Sequence, residues 1–411
     1  MRINQTTVLE TPPGDTTWAL PALLQNHRIL LVVGSGGVGK TTTAATLGLL
    51  AAQKGRKVLV LTIDPARRLA DALGVSALRH DVQQVPPKQL ADLAQARGEP
   101  LVPGGTLHAM MLDQKRAFDD LVARYARDAA LKDRVLGNPI YQQISATLAG
   151  SHEYAAMSRL FELAQNSDYD LLIMDTPPTE NAIDFLEAPD KVSKAVESDT
   201  LEWIMKQHLQ QAGSLSLRLL GMGGAIVLRG LSRFVGSAFL SQVAEFFVEF
   251  QGVLAGFKER AKAVRALLSQ KDVAFLLVCS PEPLSVDEAL YFHDRLAKAA
   301  LQIRGCVVNR VHRHTNAPPQ NLTHLLGRRK ELVGFAQEDL LELSAELVRT
   351  AQQQQQLAES DEASIRRLAQ HLAPPVARHF VPLCPIPLLE EDVHDTQSLA
   401  LIGRHLWPPG T

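Results

Sequence analysis

Gly34-Ser35-Gly36-Gly37-Val38-Gly39-Lys40-Thr41-Thr42 directly follows the apolar run Ile29-Leu30-Leu31-Val32-Val33. A glycine, four residues and then Gly-Lys-Thr is the phosphate-binding pattern, and a strand before it with a helix after it is the context that pattern needs. The chemistry asks for backbone: four glycines let the loop curl so that successive N–H groups point inward at phosphate oxygens. A helix expected over about 41–54 aims its positive end at the same place. Lys40 is placed to reach the β- and γ-phosphates, and Thr41 to give its hydroxyl to a Mg²⁺ that keeps most of its waters. A plain glycine turn would need neither the lysine and threonine nor both flanks, so every residue from Gly34 to Thr42 is a candidate phosphate contact.

Composition narrows the class. With 411 residues and 46% hydrophobic content the chain can bury a large core. A net charge of -2 supplies no basic field, so no nucleic-acid partner is expected. Cys279, Cys306 and Cys384 are far apart and each lies in or beside an apolar run, as core residues of a reduced protein do. No Cys-x-x-Cys pair occurs, and no zinc is expected. Residues 1–15 are polar and lack the apolar segment of a signal peptide, and no stretch offers the ~18 apolar residues of a membrane span, so a cytoplasmic location is expected.

Strand-like runs recur at 29–33, 58–63, 107–112, 171–174, 273–279, 305–308 and 380–384, with helical stretches between them. That alternation predicts an α/β fold: a mostly parallel sheet with helices on both faces, of the P-loop NTPase kind. Strands from both ends of the chain make one large domain more economical than two. The expected organisation is an ATPase core with its switch regions over 1–190, a helical insertion over 191–270, and the remainder of the core over 271–411. A second helical insertion is expected over about 321–372; its glutamine run, 352–356, suits a solvated helix face or a loose connection. The last four residues, 408–411, read as a frayed tail.

Two acids stand where a parallel sheet presents ligands, at the carboxyl ends of strands. Asp64 follows the second run; it can cap a helix whose first position is Pro65, or hold the attacking water or a water on Mg²⁺, and its place beside the P-loop strand favours the chemical role. Asp175 closes Leu171-Leu172-Ile173-Met174, the form of an acidic motif that holds Mg²⁺ through water. The prolines of Thr176-Pro177-Pro178-Thr179 restrict the loop after it, as suits a segment that switches with the γ-phosphate. The catalytic candidates are therefore Lys40, Asp64 and Asp175, and the metal candidates Thr41, Asp64 and Asp175. No asparagine is followed by lysine, so a guanine reader is missing and ATP is the expected nucleotide. Asn309 has an amide that can pair with adenine's edge, or it is a turn former.

Taken together these residues resemble one family of deviant P-loop enzymes, the arsenical pump-driving and tail-anchored-protein targeting ATPases. The resemblance rests on residues 34–43, on Asp64-Pro65-Ala66 with Leu69 and Asp71, on Gly150 with Glu153, on Asp175-Thr176-x-Pro178-Thr179 with Leu186 and Pro189, and on Asn309-Arg310. It implies that Asp64 positions the hydrolytic water in a first switch, that Asp175 and Thr176 form a second, that Thr41 holds Mg²⁺, and that Asn309 reads adenine. It also implies a homodimer that closes on ATP and opens after hydrolysis. The sequence departs from the family at four places. Ser35 stands where a lysine usually crosses to the partner's phosphates, so Arg67 or Arg68 would have to supply such a charge. Glu180-Asn181 replaces the usual Gly-His, the targeting ATPase's zinc-binding cysteine pair is absent, and the chain has one P-loop where the pump ATPase has two fused halves.

The region where a client would bind is apolar for its length. Residues 209–256 carry Arg218, Arg229, Arg233, Glu245 and Glu249, about half the charge that the chain's overall 21% would give. Phe239, Leu240, Val243, Phe246, Phe247 and Phe250 follow helical spacing after the loosening Gly221, Gly223 and Gly224. Core packing explains such a stripe; so does a groove for a hydrophobic helical client, which the same region forms in the targeting ATPase. The leading expectation is a dimeric ATP-hydrolysing switch coupling the nucleotide cycle to binding and release of a membrane-protein-like client. The alternatives are the motor of an arsenite or other anion pump and a partitioning-type spatial-organisation ATPase, whose basic C-terminal helix is not evident after Pro387.

Overall fold

Apolar residues on both sides of a strand demand cover on both sides, and the strand that feeds the P-loop has that pattern: every residue of Ile29–Gly34 is buried. In the computed structural model the described residues are 20–64, 68–75, 78, 80–139, 141–142, 151–166, 168–177, 237–319, 321–329, 332, 334–372, 381–393 and 395–408. The first part of the chain runs α1 (Leu20–Asn26), β1 (Ile29–Gly34), α2 (Lys40–Gln53), β2 (Lys57–Thr62), α3 (Arg68–Ala72), β3 (Gln83–Gln84), α4 (Pro87–Arg97) and β4 (Thr106–Met111). It continues through α5 (Gln114–Tyr125), α6 (Ala129–Gly137), α7 (Ser151–Asn166) and β5 (Leu171–Asp175). After the residues not described come α8 (Ser237–Leu268), β6 (Val273–Cys279), α9 (Pro283–Lys298), β7 (Ile303–Val311), α10 (Leu322–Leu326), α11 (Gln337–Leu372), β8 (Leu383–Pro387) and α12 (Thr396–Leu406).

The eight strands form one sheet in the order β3-β4-β2-β5-β1-β6-β7-β8. All neighbours are parallel except β3, which runs antiparallel to β4. The chain leaves β1 for β2 on one side and later crosses to β6 on the other, so the carboxyl ends of β1, β2, β5 and β6 border the crevice where such sheets bind ligands. Ile29, Leu31 and Val33 face a core built with α5, α7, α8, α9 and α11. Leu30 and Val32 face a second core built with α1, α2, α3, α4 and α12. The expected α/β sheet with helices on both faces is thus present.

Each of the seven expected strands is found, with two adjustments. The last lies at Leu383–Pro387 instead of 380–384, because Pro385 and Pro387 are tolerated on an edge strand that needs only one row of ladder donors; Phe380 lies outside the described residues. The additional β3 is two glutamines with no apolar pattern to announce it. The three cysteines are buried on the adjacent strands β6, β7 and β8. Residues 352–356 sit within α11, on a stretch from 337 to 357 that holds no buried residue. Among the described residues no helix is long and apolar enough to cross a membrane. The helix after Pro387 is α12, which buries Leu399, Ile402 and Leu406 against the body.

Of the first helical insertion, residues 191–236, with Gly221, Gly223 and Gly224, lie outside the described residues, as do Arg67, Gly150 and 178–190. The side chains of Phe239, Leu240, Val243 and Phe247 on α8 are likewise outside them. Phe246 is 2% exposed and stacks on Phe250, ring centroids 5.1 Å apart. Phe250 leads on to Phe257, which packs edge-on against Phe118 of α5 at 5.3 Å. Phe246 is therefore a core residue. Phe246→Ala should cost ~3 to 5 kcal/mol in denaturant unfolding; a loss under ~1 kcal/mol would mean the ring packs on nothing.

Candidate active site

The P-loop is shaped by what surrounds it. A Cβ on Gly34 would lie 1.9 Å from the carbonyl oxygen of Val278 on β6, so only glycine lets the loop leave β1 this close to the neighbouring strand. Gly39 has φ 96°, the left-handed region, at the N-cap of α2. The first helical residue of α2 is Lys40 itself, which sends its side chain back over the loop.

Lys40 Nζ donates to the carbonyls of Gly34 at 2.9 Å and Ser35 at 2.7 Å. Burial holds its ammonium below the ordinary range, a shift that Asp175 and then Asp64 oppose through their charges. The lysine is therefore partly desolvated and aimed at the loop where phosphate oxygens would compete with the two carbonyls.

Asp175 is the centre of the second cluster. The Thr41 hydroxyl donates to its Oδ2 at 2.7 Å and the Thr62 hydroxyl at 2.9 Å. Its other oxygen, Oδ1, is buried with no hydrogen-bond partner among the described residues. A buried acceptor left over beside a P-loop threonine fits a divalent ion bound through water, so the residues present suit Mg²⁺. Burial pushes the carboxyl up to about 6, against the hydrogen bonds from Thr41 and Thr62 and the charge of Lys40. The sign follows from linkage. The native protein holds this proton more tightly than the unfolded chain, so its contribution is present at the acid end and lost as pH rises from the ordinary 3.8 through about 6. Asp175→Asn should remove that fall, up to ~3 kcal/mol, so the nucleotide-free variant should melt no lower than wild type at pH 8. Thermal melts across pH read this directly; a variant that melts well below wild type at pH 8 would show that the carboxylate stabilises the fold.

Asp64 lies just past β2, where its backbone N–H takes the Thr62 hydroxyl as acceptor at 3.2 Å. Thr62 thus joins both acids, and it pairs in register with Asp175 across β2 and β5. Thr176 is buried and ties the segment after Asp175 to β1 by donating its hydroxyl to Val32 O at 2.8 Å. Asn309 reaches the loop from β7: its amide nitrogen donates to Val38 O at 2.9 Å. Ser35 turns inward, its hydroxyl 3.0 Å from that of Ser285 on α9, which also accepts from the Ser280 N–H. Pro65, Ala66, Pro178 and Thr179 lie outside the described residues.

The structure thus gathers Lys40, Thr41, Asp64, Asp175 and Asn309 around one loop. Thr62 and Ser285 escaped the sequence reading. Their role depends on which strand pairs with which, and a threonine two residues before an acid at a strand end was the only local sign of the first.

The sequence profile described as anion-transporting ATPase matches residues 27–333, which holds every one of these groups. The chain belongs to that family. It is accordingly an ATPase with ATP as its nucleotide, and the resemblance drawn from the motifs is confirmed. It is 25% identical to ATPase GET3 of Podospora anserina over 284 residues, 69% of this chain and 73% of that protein. It is 25% identical to ATPase ASNA1 homolog 2 of Paramecium tetraurelia over 301 residues, 71% of this chain and 79% of that one. It is also similar to putative arsenical pump-driving ATPase 1 of Aquifex aeolicus, 26% over 271 residues, 64% of this chain and 59% of that one. In this anion-transporting ATPase family member, α11, β8 and α12 lie beyond the matched residues.

Proposed function

We propose that this ATPase is a homodimeric, Mg²⁺-dependent switch in the cytoplasm whose cycle gates binding and release of a hydrophobic, membrane-protein-like client. The observation that carries the catalytic part is the shared carboxylate: Asp175 takes both the P-loop threonine and Thr62, keeping one buried oxygen for the ion's water shell. Bound there, Mg²⁺ would neutralise charge on the β- and γ-oxygens. Thr41 and, through water, Asp175 would hold it, and Lys40 would leave the Gly34 and Ser35 carbonyls for phosphate. Asp64, at the adjacent strand end, would orient the attacking water, and no covalent intermediate is needed.

Asn309 Oδ1 can accept from adenine's amino group while the amide nitrogen stays on Val38. Measured turnover should favour ATP over GTP, and Asn309→Ala should erode the preference by ~1 to 3 kcal/mol. Unchanged discrimination would leave Asn309 as a brace for the P-loop. The expected division into core, 191–270 insertion and 321–372 insertion remains part of this reading; the 191–270 region is where the client would bind.

Similarity to the Aquifex aeolicus protein, a putative arsenical pump-driving ATPase, favours a second reading, the motor of an arsenite or other anion pump. The cysteines argue against metalloid activation: Cys279, Cys306 and Cys384 are all buried in the sheet. Turnover stimulated severalfold by arsenite would reverse the order of the two readings.

A further inference from the structure

The segment that follows Asn309 is gripped along its length by α11. Asp361 of α11 is buried, 6% exposed, and its Oδ2 accepts from the backbone N–H of His312 at 2.7 Å and meets His312 Nδ1 at 2.8 Å. Further along, the Thr315 N–H donates to Gln355 Oε1 at 3.3 Å and its hydroxyl to Ala351 O at 3.1 Å. Gln355 Nε2 also lies 3.2 Å from His314 Nδ1. Between Asn309 and this grip the backbone is unusual. Arg310 adopts φ 65°, a left-handed value that a non-glycine residue holds only when its surroundings impose it. The β7–β8 pairing breaks register between Val308 and Val311. The irregular turn is thus held at both ends, by Asn309 on the P-loop carbonyl of Val38 and by His312 on Asp361.

We infer that Asp361 is a positioning residue for the nucleotide site: by fixing His312 it keeps the left-handed turn at Arg310, which aims the Asn309 amide across the P-loop. This rests on the reading that Asn309 faces the base. A buried carboxylate on a backbone N–H is a strong, charge-assisted bond, and removing it leaves that N–H without a partner and the turn free to relax. The consequence lies on affinity and not on chemistry, because Asp64 and Asp175 come from the ends of β2 and β5, across β1 from β7, and Lys40 is held by the loop's own Gly34 and Ser35 carbonyls.

The test is ATP titration and steady-state turnover of the full chain carrying Asp361→Ala, Asp361→Asn or Asn309→Ala, below each variant's melting midpoint. Asp361→Ala should raise the Kd and KM for ATP about tenfold with kcat within about twofold of wild type. Asp361→Asn keeps an oxygen for the His312 N–H and should restore most of the affinity. If Asn309→Ala weakens ATP binding and Asp361→Ala does not, or if Asp361→Ala lowers kcat at unchanged KM, the inference falls alone. If Asn309→Ala leaves ATP affinity unchanged, the base-reading role falls and takes the inference with it.

Discussion

Lys40→Ala should abolish measurable ATP turnover, at least ~10²-fold down, in a protein that still folds. The lysine is the only cation that the P-loop itself carries, and charge neutralisation with positioning is nearly all that a phosphoryl-transfer enzyme contributes. Its loss should hardly touch stability. The ammonium makes two hydrogen bonds to backbone carbonyls, yet it is buried and pays desolvation for them. These effects oppose each other, and a net change within ~1 kcal/mol is expected. Turnover by phosphate release alongside a thermal melt separates the two. A variant keeping more than a tenth of wild-type turnover would sink the assignment of this loop.

Asp64→Asn should slow hydrolysis by ~10² or more while sparing ATP binding. The amide keeps the shape of the carboxylate but loses the charge and the second acceptor that orient a water for attack. The Thr62 hydroxyl meets the backbone of Asp64, so the local turn should survive the change. Equilibrium binding with a single-turnover rate gives both numbers; a collapse of ATP affinity would make Asp64 a structural cap and not the residue that holds the water.

The fold was legible because strands buried on both faces leave unbroken apolar runs, as in Val273–Cys279, where every residue is buried. The P-loop was legible because its requirements fall within nine consecutive residues. What stayed hidden depends on partners distant in the chain. Ser35 meets Ser285 across 250 positions, and His312 meets Asp361 across 49. No local pattern marks such pairs: a serine in a glycine loop reads as a phosphate contact, and an aspartate on a long polar helix reads as solvated. The same holds for β8, whose prolines argue against a strand until its place at the sheet edge is known. Phe246 shows the converse: helical spacing was plain, but whether the stripe met a client or a core required its neighbours.

On the proposed function, the nucleotide state gates a surface for a hydrophobic helix. A labelled apolar helical peptide should be titrated against the nucleotide-free protein, the ADP-bound protein, and the Asp64→Asn variant held with ATP and Mg²⁺. Peptide affinity at least ~10-fold higher in the ATP-held state than in the other two is the predicted result, since a ligand shifts a conformational equilibrium only by its differential affinity for the two states. Equal affinity in all three states would contradict it and leave an ATPase whose cycle drives something other than client capture.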